Sequence, residues 1–201
     1  MKYIHTSGKR MKDIAVIEQG HLFRKGIHNL PRGNIHLIQP KDVNTEHNLR
    51  IDELHKVKRD DIKESSILRP GDVIIKTKAP SPVAFRVDSE NGLFAVTDHF
   101  MIIRISDSSV NPDYLRWFLN SRRTQIYLKQ RMGGTNVPFL RKTTLEELTI
   151  PIPTSDLQAK IAALSDLIDK EKELTGKLIT LRKSLAEQLS YDTLGGEWKD
   201  E

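Results

Sequence analysis

The chain has 201 residues, 37% of them hydrophobic, with a formal net charge of +5 and no cysteine; that is enough for one ordinary domain plus an appendage. Without cysteine, disulfides and thiolate metal sites are excluded. No apolar run approaches the ~20 residues of a membrane span and residues 1–10 lack a signal-peptide core, so a cytoplasmic location away from any membrane is expected.

In chain order, residues 12–17 are short and half apolar, and Gly20-His21-Leu22-Phe23-Arg24-Lys25-Gly26 reads as a turn-rich loop. Residues 34–39 alternate about Ile35, Leu37 and Ile38, which predicts a strand. Residues 56–67 are polar with weak periodicity. Leu68-Arg69-Pro70-Gly71-Asp72 predicts a turn, because Pro fixes φ and Gly accepts the positive φ of a type II turn. The β-branched Val73-Ile74-Ile75 predicts the next strand, and residues 83–87, 93–96 and 100–105 extend the β region. Asn111-Pro112 predicts a helix start, with Asn as N-cap and Pro at the first helical position. Tyr114, Leu115, Phe118 and Leu119 supply its apolar face. Ser121 caps a second predicted helix carrying Ile126 and Leu128, which Gly133-Gly134 ends. Thr144-x-x-Glu147 predicts a capping box for a short helical turn, and Ser155-x-x-Gln158 predicts another.

The second box opens an uninterrupted helical pattern to about Ser190. Leu157, Leu164, Leu178 and Leu185 recur at sevenfold spacing, and Leu167, Leu174 and Leu181 do so in a second register three residues away. Together they form one apolar seam with a mean period of three and a half. Glu171 interrupts it where a core residue is expected, a device that fixes register at some cost in stability. A lone helix cannot hide such a seam, so a partner helix is expected. Docking of the first turns back on the chain through Ile161 and Ile168 is the lesser alternative. The expected organisation is an α+β globular domain of mixed short strands and helices over 1–153, a long coiled-coil-forming helix over 154–191, and a tail over 192–201.

Charge is distributed unevenly. From Arg116 to Lys142 there are seven basic residues and no acidic one: Arg116, Arg122, Arg123, Lys129, Arg131, Arg141 and Lys142. Such a run is often only a solvated face. Here it flanks the Gly133-Gly134-Thr135-Asn136 loop, whose small hydrogen-bonding residues suit close approach to phosphates and base edges. Lys76-Thr77-Lys78-Ala79-Pro80-Ser81-Pro82 and Phe23-Arg24-Lys25 with Arg32 are two further candidate nucleic-acid surfaces, and only their convergence on one face would give them weight.

Signals for catalysis are weak. There is no Gly-x-x-x-x-Gly-Lys phosphate loop. None of the 7 histidines pairs at i, i+4 with a nearby third ligand, so neither metal nor cofactor is expected. Asp72 and Lys76 on one strand give a nuclease alternative, but metal-dependent cleavage needs a second convergent acid, and Asp88 and Glu90 fall in a turn-like stretch. The simpler reading is that Asp72 closes the Pro-Gly turn. A protein adaptor that never touches DNA is the remaining alternative.

The ordered succession of Gly20-His21-Leu22-Phe23-Arg24, Ile38-Gln39-Pro40-Lys41-Asp42-Val43, Leu68-Arg69-Pro70-Gly71-Asp72-Val73, Asn111-Pro112-Asp113-Tyr114-Leu115, Gly133-Gly134-Thr135, Leu145-x-x-Leu148-x-Ile150-Pro151-Ile152-Pro153 and Leu157-Gln158-x-x-Ile161-Ala162 resembles the specificity subunits of type I restriction-modification systems. The resemblance covers nearly the whole chain. It implies a DNA target recognition domain followed by a long helix, no catalytic residues, and work alongside methyltransferase and restriction subunits. A full subunit of that family holds two such units with antiparallel helices, whereas this chain carries one. A half-subunit paired with its own copy through Leu164, Leu167, Glu171, Leu174, Leu178, Leu181 and Leu185 is expected, with a fragment as the alternative. Gly195-Gly196-Glu197-Trp198 keeps both open, since a Trp-led segment opens the second unit in that family. A helix over 156–190 measures about 50 Å at ~1.5 Å per residue. It would hold two inverted half-sites more than one DNA turn apart. The residues expected to meet double-stranded DNA are Arg24, Lys25, Lys76, Lys78, Arg122, Arg131, Thr135, Asn136, Arg141 and Lys142.

Overall fold

A computed structural model describes residues 8–43, 53–87, 92–134 and 137–193. Residues Thr135 and Asn136, the Asp88 and Glu90 stretch and Gly195-Gly196-Glu197-Trp198 lie outside the described residues. The chain divides into two compact units, Met1–Ala162 and Ala163–Glu201.

The first unit is built on two small sheets whose strands have apolar side chains on both faces. One sheet has the order β2 (Ala15–Gln19), β8 (Phe100–Ile105), β5 (Val73–Lys76) and β6 (Ala84–Phe85), all antiparallel. The other has the order β4 (His55–Val57), β3 (Ile35–Ile38) and β7 (Leu93–Val96), with β3 and β7 parallel. Successive residues of a strand point to opposite faces, and here the alternation sorts them into separate cores. Ala15, Ile17, Val73, Ile75, Met101 and Ile103 face a helical layer. Ile74, Phe100 and Ile102 point the other way and meet Ile38, Phe94 and Val96 of the second sheet. Ile35, Leu37 and Ala95 turn away from that interface and pack under Ile62 and Ile67. Burial on both faces explains why β5 reads as a continuous β-branched run rather than an alternating one.

The helical layer is α1 (Met11–Ile14), α2 (Pro112–Asn120), α3 (Arg122–Gln130) and α4 (Lys142–Glu146). It contributes Met11, Ile14, Tyr114, Leu115, Leu119, Leu128 and Leu145 to the first core. Each fully buried aliphatic there is worth about 1.5–3 kcal/mol. The Asn111 side chain caps α2 by accepting from the N–H groups of Asp113 and Tyr114, and Ser121 caps α3 through Thr124. Both caps are where the sequence predicts them. The Pro70-Gly71 turn also forms as predicted, with Gly71 at φ +87. A two-stranded ribbon of β1 (Gly8–Arg10) and β9 (Thr149–Pro151) closes the unit. The Tyr114 hydroxyl donates to the Pro151 carbonyl at 2.8 Å, and burial pushes its phenol above the ordinary range.

Three expectations are corrected before the long helix. The strand predicted over 83–87 shrinks to Ala84–Phe85, and the Asn120 carboxamide is its outer neighbour. It accepts from the Ala84 N–H at 2.9 Å and donates to the Ala84 carbonyl at 2.6 Å, which blunts the sheet edge. The polar stretch 56–67, for which the sequence predicts no element, contains the end of β4 and two 3-10 turns. Thr144 lies inside α4 rather than capping it, and the Glu147 carboxylate of the supposed box is drawn away to Lys12 at 2.6 Å. Glycine does not end α3, which stops at Gln130 with Arg131 as its C-cap.

The long helix α5 runs Ser155–Thr193. Gln158 and Ala162 are buried in its first two turns, and Ile161 packs on the first core. The capping box predicted from Gln158 does not form, since its carboxamide is committed elsewhere. Beyond Ala162 every seam residue is exposed: Leu164, Leu167, Leu174, Leu178, Leu181 and Leu185 range from 47% to 68%, and Ile168 is also exposed. Among the described residues no helix is long and apolar enough to cross a membrane.

Candidate nucleic-acid interface

The turn between β7 and β8 organises the candidate surface. Thr77, one residue past β5, donates both its N–H and its hydroxyl to the His99 carbonyl, at 2.8 and 2.9 Å. The Lys78 ammonium reaches the Asp98 carboxylate at 2.6 Å. On the other side of the same turn, the Asp98 N–H donates to the His21 carbonyl at 2.9 Å, and the Gln19 amide donates to the Asp98 carbonyl at 2.6 Å. The Arg24-Lys25 loop thus leaves the domain from a residue bonded to the turn that Lys78 grips. Phe23 anchors that loop by packing on the third core and edge-on to the His21 ring, and Arg24 and Lys25 are exposed. Burial lowers the His21 imidazole below its ordinary range, with Asp61 opposing, and its Nδ1 accepts from the Lys63 N–H.

The third candidate segment joins the segment after β5 through backbone bonds. The Leu140 N–H donates to the Thr77 carbonyl at 2.9 Å, and Lys78 bridges Phe139. Phe139 and Gly133 exchange both of their backbone hydrogen bonds at 2.9 Å, which closes the loop 133–139 at its base. Gly134 sits at φ +89, and a Cβ there would lie 2.4 Å from the Val137 carbonyl oxygen, so only glycine fits. The Arg141 guanidinium lies over the Phe139 ring at 5.7 Å, and Arg131 lies over Tyr127 at 3.9 Å. Thr77 links the two: its amide donates to the β7–β8 turn and its carbonyl accepts from Leu140 beyond the closed loop.

The sequence-selected cations are not equivalent. Arg131 and Arg141 flank the closed loop, and among the described residues neither has a carboxylate partner. Lys78 is neutralised by Asp98, and Lys142 lies 3.7 Å from Glu146. The Lys76 ammonium donates to the Pro40 carbonyl at 3.1 Å. Arg122 opens α3 whereas Arg131 closes it, about 13 Å away along the helix at ~1.5 Å per residue. It is therefore not brought to the loop. Sequence reasoning stopped at Asn136 and missed the apolar residues beyond it: Val137 is 61% exposed and Phe139 38%. Their place between cations in the sequence was the signal for them.

The nuclease alternative is not assembled. The Asp72 carboxylate is buried, accepting from Arg104 at 2.8 and 3.1 Å and from the Arg69 N–H at 2.8 Å. The Asp72 bond raises the Arg104 pKa above its ordinary value. Asp72 closes its turn and holds the sheet, and Lys76 caps the turn at Pro40. Among the described residues no three His, Asp or Glu side chains converge on a metal site.

Residues 7–181 match the family model of the type I restriction modification DNA specificity domain, and the chain belongs to that family. It is 28% identical over 172 residues to the type I restriction enzyme MjaIX specificity subunit of Methanocaldococcus jannaschii, covering 82% of this chain and 39% of that protein. Its fold matches the type I S subunit from M. genitalium with a TM-score of 0.59 at 15% identity, over 98% of this chain and 48% of the other. The HsdS subunit from Thermoanaerobacter tengcongensis gives 0.57 at 19% identity, over 85% and 39% respectively. The chain spans less than half the length of each of these relatives.

Proposed function

We propose that the chain is one DNA-reading head of a type I restriction-modification system. It grips a half-site, catalyses nothing itself, and directs methyltransferase and restriction subunits to that site in the cytoplasm. Arg131, Arg141, Arg24 and Lys25 contact phosphates and set register, while loop residues, Thr135 and Asn136 among them, approach base edges. A second copy joins through the exposed leucines of α5, which gives two identical heads in inverted orientation. The observation that supports this reading is that three segments far apart in sequence, at His21, Thr77-Lys78 and Leu140, are tied by hydrogen bonds to one another and to the β7–β8 turn, in a chain of the DNA specificity family.

The test is a salt titration of the full chain on a duplex selected from a random pool, with and without a methyltransferase subunit. Arg131→Ala and Arg141→Ala should each weaken binding and lower the slope of log K against log salt by about 1. Unchanged affinity and slope in both variants would remove the assigned face. Binding to no duplex under either condition would leave the adaptor reading.

A further inference from the structure

We propose that the outer face of α3, through Arg122, Arg123 and Lys129, lies along the sugar-phosphate backbone of the duplex; this deepens the DNA-reading function above and rests on it. The inner face of α3 is fixed. Thr124 and Leu128 are buried, and the Gln125 carboxamide donates to the carbonyls of Pro82 and Leu119 at 2.7 and 2.8 Å. Residues three and four apart share a helix face, so the opposite side is set as well. Arg122 and Arg123 stand at one end of it, Ile126 in the middle, and Lys129 and Gln130 at the other end, all exposed. The helix then passes into Arg131, its C-cap, so this face is continuous along the chain with a cation already assigned to phosphate.

A solvated helix face is ordinarily mixed in sign. This one carries no acid, and neither does the chain from Tyr114 to Leu145. The acids that bracket that stretch, Asp113 and Glu146, are engaged by Arg86 and Lys142. Among the described residues none of Arg122, Arg123 and Lys129 has a carboxylate partner. Arg122 and Arg123 also stand in the first turn of α3, where the helix dipole favours acidic side chains. The face is thus cationic against the preference of its own helix, and an anionic partner offsets that conflict. A protein interface is depleted of charge at its centre, and Ile126 alone does not make an apolar one. A duplex backbone fits better. Arg122 to Lys129 spans about 10 Å at ~1.5 Å per residue, room for about two or three successive phosphates of one strand. Such contacts carry no sequence information, so α3 adds grip and register while base choice stays with the loops.

The experiment uses the full chain with Arg122→Gln, Arg123→Gln and Lys129→Gln combined, since glutamine keeps the helix propensity of the residues it replaces. Between about 50 and 200 mM salt the unsubstituted chain should lose about 40-fold more affinity than this triple variant, the effect of three phosphate contacts. At fixed salt the loss in the variant should be equal on the selected duplex and on an unrelated one. Uncharged methylphosphonates placed in turn along the selected duplex should weaken the unsubstituted chain at about two or three neighbouring phosphates. That penalty should be absent in the triple variant. Arg122→Glu alone should weaken binding although the helix dipole favours it, which separates DNA contact from a role in folding. The inference is overturned if affinity and salt slope are unchanged in the triple variant, or if the loss falls on the selected duplex alone. It is also overturned if that variant binds DNA normally and instead loses a methyltransferase subunit. Those outcomes leave the DNA-reading function standing through the loops, whereas binding to no duplex by the unsubstituted chain overturns both.

Discussion

The side-chain oxygen of Gln158 accepts a hydrogen bond from the backbone N–H of Asn111 at 2.8 Å, and Asn111 in turn caps α2. The Gln158 amide nitrogen donates to the carbonyls of Ser109 and Pro153, both at 2.9 Å. One nearly inaccessible side chain therefore satisfies three backbone groups from two loops. The first turns of α5 are built into the domain by a polar pin, with Ile161 and Ala162 supplying the apolar contact beside it.

Replacing Gln158 by Leu keeps much of the volume and removes all three bonds. Buried groups left without partners cost about 1–3 kcal/mol each, and local relaxation recovers part of that. Q158L should lose roughly 2–4 kcal/mol of stability, read as a lower urea midpoint at unchanged m-value. A loss below about 0.5 kcal/mol, the level of an ordinary surface change, would show that the pin is not structural.

The Asp72–Arg104 pair gives a second prediction. The Asp72 side chain is 3% exposed and that of Arg104 19%, so the guanidinium would be left partly buried without its carboxylate. Asp72→Asn should cost about 2–4 kcal/mol, somewhat under the range for a fully buried pair. DNA affinity of the folded fraction should be unchanged, because Asp72 precedes β5 whereas Thr77 and the basic loops lie past its other end. Magnesium-dependent nicking that Asp72→Asn abolishes would restore the enzyme reading.

Strands β3, β5, β7 and β8 and the caps of α2 and α3 were legible because their signals are local, whereas β1, β2, β4 and β9 carry no such signal. Alternation about Ile35 and Leu37, the β-branched run of β5, Pro-Gly and Asn-Pro all act within a few residues. Gln158 misled for the opposite reason. Three residues after Ser155 it fits a capping box, but its partners Asn111 and Ser109 are 47 and 49 positions away. Glu147 was likewise claimed by Lys12, 135 positions back. In the candidate interface the basic residues could be named, but not the neutralisation of Lys78 by Asp98 or the engagement of Lys76 by Pro40. The first pairing exists only once β5 lies beside β8, the second only once the two sheets pack face to face.

Two ion pairs that hold the N-terminal segment predict a pH dependence. Asp107 bonds to the Lys9 ammonium at 2.6 Å and to the Ser109 hydroxyl and N–H at 2.7 and 2.9 Å. The Lys9 bond first, then those from Ser109, holds its carboxyl far below the usual carboxylate range. Glu147 is lowered in the same sense by Lys12. A carboxylate depressed in the folded state stabilises above its unfolded pKa, and that contribution is lost as pH falls through the folded value. The difference in urea midpoint between the unsubstituted chain and Asp107→Asn should therefore be constant from pH 7 to about 5 and narrow below about pH 4. Lys9→Met should remove most of the difference. A gap that widens on acidification would contradict the assignment.

The last prediction concerns the leucine seam. Leu164, Leu167, Leu174, Leu178, Leu181 and Leu185 follow an alternating three–four spacing with Glu171 in the one polar slot, and all are exposed in the single chain. The Lys177–Glu173 pair at 2.6 Å is of the kind that flanks a seam and leaves it apolar. On the homodimer reading the unsubstituted chain should sediment as a dimer at micromolar concentration. Leu174→Asp combined with Leu178→Asp puts four carboxylates into the centre of a twofold interface. At about 2 kcal/mol or more for each charge buried without a partner, that should weaken association by well over 100-fold. Helical content should be retained in the doubly substituted chain, because its first core and the Gln158 pin are untouched. Glu171→Leu should act in the opposite direction, with tighter association and a less defined register. A monomer for the unsubstituted chain at micromolar concentration would refute self-pairing and leave the seam to a different partner helix.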